Sequence, residues 1–338
     1  MESTLTAEID AQYRQLREEC GLVARPDHGQ LDLTGDEAVE YLQGQVTNDV
    51  EAIELGDGLY AALLDRKAKV QADLRVLRLP GGELRIDTSA AALPAATKHL
   101  QMYKIGRDVT IADRTGERAL TSVIGPGAAS VTGIEPGPAH RHRFARVGGI
   151  ECLAVSAPIG ELPRLGFSGL GEIPGLDLFC AAEEVERLRE TLAAEGAYEV
   201  DEQAAEVLRI EAGVPRFGRE ITPETMPAEA GIVERAISFT KGCYIGQEPV
   251  ARLHYRGRPN RVLRRLELSA AGAPGEPLWL DDKQVGVLTS AAVSPARGPL
   301  GLAILRREAE PGATLRVGDG PNEARVPEAR VAETEASQ

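Results

Sequence analysis

Between residues 31 and 111, strand-length apolar runs, tight turns and helical periodicity follow one another in an order that few folds satisfy. Leu31-Asp32-Leu33 alternates as a short strand, Thr34-Gly35-Asp36 turns the chain, and Asp36 is a fitting N-cap for a helix to about Gln43. Residues 59–64 and 70–79 are strand-like, and the polar Asp65-Arg66-Lys67 between them predicts a hairpin. Pro80-Gly81-Gly82 leads into a third strand at 83–88. Residues 89–103 carry a helical pattern with Pro94 near its start, where proline is tolerated, and 109–111 is a strand again. This β-β-α-β rhythm specifies an α+β layer with helices on an antiparallel sheet.

The pattern recurs. Strands are expected near 119–124, 144–155 and 177–182, with amphipathic helices at 183–195 and 202–211, the latter capped by Asp201. A second unit like the first follows, without a visible sequence repeat. Residues 5–20 read as an amphipathic packing helix. Beyond Leu268, short strands and Gly/Pro turns predict a small β-barrel or sandwich. The expected organisation is an α+β region over 1–255 of two units, consecutive or interleaved, a barrel over 256–325 and a disordered tail over 326–338.

Charge and cysteines narrow the function classes. Lys+Arg number 38 and Asp+Glu 52, a net charge of −14, which disfavours non-specific binding to nucleic acid or an anionic membrane. Cys20, Cys152, Cys180 and Cys243 are far apart and form no C-x-x-C pair, so neither a disulfide framework nor a metal site is expected, and a reducing cytoplasm is the simplest setting. The N-terminus shows no signal-peptide pattern, and no apolar run approaches membrane-spanning length.

Chemistry concentrates in a few places. Helix 202–211 ends in Arg209-Ile210-Glu211-Ala212-Gly213, and a long Pro- and Gly-studded stretch then delivers the chain to Lys241-Gly242-Cys243-Tyr244-Ile245-Gly246-Gln247-Glu248. An irregular stretch of that length inside a domain is usually functional. A cation beside a thiol favours the nucleophilic thiolate, so Cys243 with Lys241 reads as a reactive site; the alternative is an inert buried cysteine in a Gly-rich turn. Thr47-Asn48-Asp49 either caps a helix or lines a pocket. Asp73 lies mid-strand on the face of Arg75; it faces solvent or, if that face walls a cavity, acts as a general acid/base. His140 and His142 are expected on an exposed loop. Six arginines from Arg252 to Arg265 form either a solvated strand face or an anion site.

Three stretches together resemble one family. They are Gly35-Asp36-Glu37-Ala38 through Tyr41-Leu42-Gln43-Gly44-Gln45 to Thr47-Asn48-Asp49-Val50; Arg209 to Pro215 with Gly218-Arg219-Glu220 and Pro227-Ala228-Glu229-Ala230-Gly231; and Lys241 to Glu248 with Val250-Ala251-Arg252. The chain is similar to the YgfZ-type folate-binding proteins, relatives of the glycine-cleavage T-protein (aminomethyltransferase), over residues 10 to 318. The third stretch carries the YgfZ mark; the T-protein branch has an aspartate where this chain has Cys243.

The resemblance implies an α+β fold of two ferredoxin-like units around a central folate channel, plus a C-terminal antiparallel β-barrel. It implies a tetrahydrofolate, or a one-carbon-substituted folate, in that channel. Glu211 would hold the pterin by two parallel hydrogen bonds, with Thr47, Asn48, Asp49, Arg209, Tyr244 and Gln247 around the ligand and Asp73 as the catalytic acid. The T-protein strand carries two adjacent acids; here Ala72 takes the first place. The implied function is accessory: a monomer supporting iron–sulfur cluster assembly or repair in client enzymes, with Cys243 as working thiol. The rival implied by the same kinship is a working aminomethyltransferase, which Glu211 and Asp73 favour and Cys243 and Ala72 disfavour. A third class is an interaction module that docks an acidic client on its arginines.

Overall fold

The computed structural model describes residues 2–160 and 171–328. Strand β1 (Gly21–Ala24) follows the helix Glu2–Glu18 and belongs to the second sheet, so the two units interleave. The first sheet holds β2 (His28–Thr34), β3 (Asp57–Leu64), β4 (Val70–Arg78), β5 (Leu84–Ser89) and β6 (Thr110–Asp113), in the order β3-β4-β5-β2-β6. The second adds β7 (Arg118–Ile124), β8 (His142–Val147), β9 (Ile150–Ser156), β10 (Gly175–Ala181) and β11 (Tyr198–Glu199), in the order β11-β1-β7-β10-β9-β8. Reading β3 as β8, β4 as β9, β5 as β10, β2 as β7 and β6 as β1, the two orders coincide. The duplication lives in topology, with the chain's first strand completing its second unit.

The period-2 pattern of β4 decides what faces what. Ala72, Leu74 and Val76 join a buried apolar core beneath the helices Ala38–Gln43 and Leu93–Tyr103, while Gln71, Asp73 and Arg75 are only part-buried on the opposite face. The second sheet buries an equivalent core beneath Val185–Ala194, with Leu188 and Leu192 at its centre. The two helix-free faces meet at one end through Leu77, Leu79, Leu120, Leu153, Val155 and Phe179. At the other end they part and leave a cavity.

Strands β12 (Arg261–Leu268), β13 (Pro277–Leu280), β14 (Lys283–Ser294), β15 (Gly298–Arg306), β16 (Thr314–Val317) and β17 (Glu323–Arg325) close an antiparallel barrel. It packs on the helix Glu202–Ala212 through Ile210, Leu263, Leu300 and Leu302. The tail expected over 326–338 lies, from residue 329 on, outside the described residues. The turn at Gly35-Asp36-Glu37 is closed by the backbone, Ala38 N–H to Gly35 C=O at 3.1 Å, and the helix starts at Ala38 without a side-chain cap from Asp36. Residues 214–240 are ordered by packing: Ile221, Ala230, Ile232, Ala236 and Ile237 share a core with Ala62, Leu64 and Val70 of the β3–β4 hairpin.

Candidate functional site

The cavity between the sheets measures about 530 Å³ and is walled by β2, β4, β5, the turn before β8, and the helix Glu202–Ala212. Asp73 faces it. In the hairpin register Ala62 pairs Asp73 and Tyr60 pairs Arg75, which brings the Tyr60 hydroxyl diagonally to Asp73 Oδ2 at 2.9 Å. Burial pushes the Asp73 carboxyl above the usual range, against the Tyr60 hydrogen bond and the cations His28 and Arg235. Burial and the same carboxyl push the Tyr60 phenol well up. The Arg235 guanidinium lies 5.1 Å from the Tyr60 ring centre. Arg235 also lines a second, more apolar cavity of about 570 Å³ with Phe239, Leu253, His254 and Arg264.

Thr47 and Asn48 position this group without lining the cavity. The Thr47 hydroxyl donates to Ala236 C=O (2.5 Å) and accepts from Ala62 N–H (2.9 Å). Asn48 Nδ2 donates to the carbonyls of Tyr60 (2.9 Å) and Arg235 (3.0 Å). Together they staple the segment bearing Arg235 to strand β3. Asp49 accepts from Gln43 Nε2 (2.9 Å) and is likewise off the cavity wall.

A chain of ion pairs crosses between the sheets. Arg75 reaches Asp87 on its own sheet (2.6 Å) and Asp177 on the other (2.7 Å), and Ser122 donates to Asp177 (2.6 Å). Asp87 also receives His28 Nδ1 at 2.8 Å. Burial opposes both charges in that last pair, yet each holds the other charged: His28 is raised and, with Arg75, Asp87 is lowered. Arg209 lines the cavity and is fixed by Glu206 (2.6 Å), Glu220 (3.0 Å) and Ser290 (2.7 Å).

Several expected contacts lie elsewhere. Glu211 is two residues from Arg209 on the same helix and so points away from the cavity. Its carboxylate is fully buried, off the cavity wall, and accepts from Tyr13 (3.0 and 3.1 Å) and Ser294. Burial, then Glu211, raise Tyr13 to about 12. Lys241 does not serve the thiol. Its ammonium donates to the carbonyls of Gln43, Val46 (2.7 Å) and Asn48 (3.0 Å), a rivet at the end of the helix Ala38–Gln43. Burial draws it down to about 8, with Asp49 and Glu51 opposing. Tyr244 is buried beneath that ammonium, 5.3 Å from ring centre to Nζ, and Gln247 opens the helix Gln247–Arg256; neither lines the main cavity. Gly246 at φ +84 allows the turn, since a Cβ there would lie 2.5 Å from the Asp65 carbonyl.

Cys243 is exposed; Cys20, Cys152 and Cys180 are buried. Burial lifts Cys20 to about 11 and Cys152 to about 12, and raises Cys180. Among the described residues no three His, Cys, Asp or Glu side chains are placed to hold a metal ion. The arginines from 252 to 265 are not one patch: Arg261 pairs Glu229 (2.9 Å), and Arg265 donates to the Glu211 carbonyl (2.6 Å). His142, expected exposed, is 5 % exposed, and His140 lines the cavity. Tyr60, Arg235, His28, Asp87 and Asp177 were not singled out by the sequence. Tyr60 could have been found by counting the predicted hairpin's register from its turn.

Residues 2–241 match the family described as the GCVT N-terminal domain. An aminomethyltransferase of Halalkalibacterium halodurans is 28% identical over 309 residues, covering 89% of this chain and 82% of that protein. One of Rubrobacter xylanophilus is 29% identical over 324 residues, covering 95% and 85%. The glycine cleavage system aminomethyltransferase T of Bartonella henselae superposes with a TM-score of 0.82 at 20% identity, covering 95% of this chain and 88% of that one, a likeness of fold.

Proposed function

The chain belongs to the GCVT N-terminal domain family, and from that premise we propose that it binds a tetrahydrofolate at Asp73 and places a one-carbon unit on it, as an aminomethyltransferase does. The observation that carries this reading is the Asp73 carboxyl, turned into the cavity with Tyr60 as its one side-chain partner among the described residues. Ala72 does not weaken it. That position faces the apolar core, so an acid there would not reach the cavity.

The cavity suits the ligand class. Its volume is within the range of small-molecule sites, and it offers an acid, an aromatic ring and arginines for the ring donors and carboxylates of a folate. In the overall reaction a carrier S–CH2–NH2 group and two folate N–H groups become N–CH2–N, NH3 and S–H. Two protons leave nitrogen, one to the departing amine and one to sulfur. Asp73, held towards its neutral form by burial, can carry a proton between a folate nitrogen and the departing amine. Calorimetry with tetrahydrofolate, and turnover with an aminomethyl-lipoyl carrier protein, test the reading. Micromolar binding with turnover lost in Asp73→Asn supports it; binding without turnover removes the transferase step.

A second reading rests on a separate observation. Cys243 is the exposed cysteine, off the cavity wall, in the stretch that resembles the YgfZ branch. On that reading the protein is a folate-binding accessory factor for iron–sulfur enzymes, and Cys243 meets a client or assembly protein. Complementation of a strain lacking such a factor should then fail for Cys243→Ser; full complementation removes the role of the thiol.

A further inference from the structure

His140 has a left-handed backbone, φ +72, rare for a residue with a side chain. Such conformations persist where the surroundings over-determine them, and they cluster at functional sites. Here the surroundings do so. The His140 N–H donates to Ser156 C=O (2.8 Å), and its own carbonyl faces His142 Nδ1 at 3.1 Å. The next residues are held by Ser156 N–H on Arg141 C=O (2.8 Å) and His142 N–H on Gly56 C=O (2.9 Å). A Cβ on Gly58 would come within 3.2 Å of His140 Cβ, so the glycine leaves room for the turn.

The result is an imidazole on the cavity wall whose Nδ1 is buried without a hydrogen-bond partner among the described residues. An unmet buried polar atom is costly unless something supplies the bond. The charges around it are Arg75 on β4 and Arg235 on the short helix Val233–Ala236, opposed by Asp57 and Asp177; burial first, then the two arginines, lower His140 to about 4. It is therefore a neutral ring. With its proton on Nε2, Nδ1 is an acceptor.

We propose that His140 is a ligand-contacting residue of the second unit, its Nδ1 accepting an N–H of the heterocycle bound at Asp73. The ligand is then held from both sheets, by Asp73 on one and by the turn before β8 on the other. The inference rests on the folate reading above and adds to it a residue that fixes the ring's orientation.

Two variants test it, His140→Gly and His140→Asn, since glycine and asparagine accept a positive φ. Both are expected to keep or raise the melting temperature while tetrahydrofolate affinity, measured by calorimetry, falls about tenfold or more, the size of one hydrogen bond to a ligand. Parent binding with variant affinities within about twofold overturns the inference alone. So does an affinity loss that tracks a fall in melting temperature, which would mark a structural role. No binding by the parent protein overturns the folate reading and this inference with it.

Discussion

Lys241 and Asp73 are both titratable, and burial drives both towards the neutral form. Their hydrogen bonds set them apart. Lys241 spends its three donors on three backbone carbonyls of residues 43–48. Among the described residues Asp73 has one side-chain partner, Tyr60, beside its own backbone amide, and it stands on the cavity wall. A saturated buried charge holds chain to chain. An unsaturated one is kept for something that is not there all the time. In the Lys241–Glu248 segment, the most conspicuous stretch of the sequence, the one ammonium is thus spent on architecture.

The pair should dissociate under mutation. Asp73→Asn is expected to lower turnover about 10²- to 10⁴-fold, the usual worth of a proton-transfer group, with a melting temperature unchanged or higher because a buried ionisable group is gone. Lys241→Ala is expected to cost about 2–4 kcal/mol in urea denaturation, since it leaves three carbonyls short of a donor. A Lys241 variant that is stable but inactive, or an Asp73 variant that unfolds, would break the comparison.

That division explains what could be read beforehand. The strands, the hairpin at Asp65-Arg66-Lys67 and the barrel were legible because local alternation and turn chemistry encode them. The face of Asp73 was legible from period 2, although whether that face met water or a cavity depends on a second sheet far away in sequence. His28, Tyr60, His140, Asp177 and Arg235 come from five separate segments with no shared spacing. That Glu211 lies off the cavity wall was not legible in the motif; it follows from helical phase, since Arg209, two residues earlier, takes the cavity side.

His28 lies between the two extremes, with Nδ1 on Asp87 and its other nitrogen without a partner among the described residues. Its pKa is raised in the fold, so its contribution is fully present below the unfolded histidine value, about 6.5, and fades as pH rises through the folded one. Asp87 and Asp32 are lowered in the fold; burial opposes this in both, and it is overcome by His28 and Arg75 for Asp87 and by Arg118 and Arg85 for Asp32. Their contribution is present above the unfolded aspartate value, about 3.9, and is lost as pH falls below it. Melting temperature against pH should therefore fall on both sides. His28→Gln should lose the alkaline decline assigned to this pair and keep the acid one. An alkaline limb unchanged in the variant would show that His28 is not charged in the fold.

The smallest effect on the fold is expected at Cys243. Cys243→Ser should shift stability by less than about 0.5 kcal/mol, as surface substitutions do, and leave tetrahydrofolate binding intact. Its use is as a divider. Native alkylation with iodoacetamide should label one thiol of the four, because burial shields Cys20, Cys152 and Cys180 and holds them protonated, and denaturant should release the rest. If the alkylated protein binds tetrahydrofolate and turns over as before, the exposed thiol and the cavity are independent, and the transferase reading stands without it. If binding survives but complementation of an iron–sulfur defect is lost, the cavity is the regulated half of a protein whose output is Cys243. Loss of folate binding on alkylation would instead mean that the loop touches the ligand path, and the division between rivet and cavity drawn from Lys241 and Asp73 would have to be redrawn around the thiol.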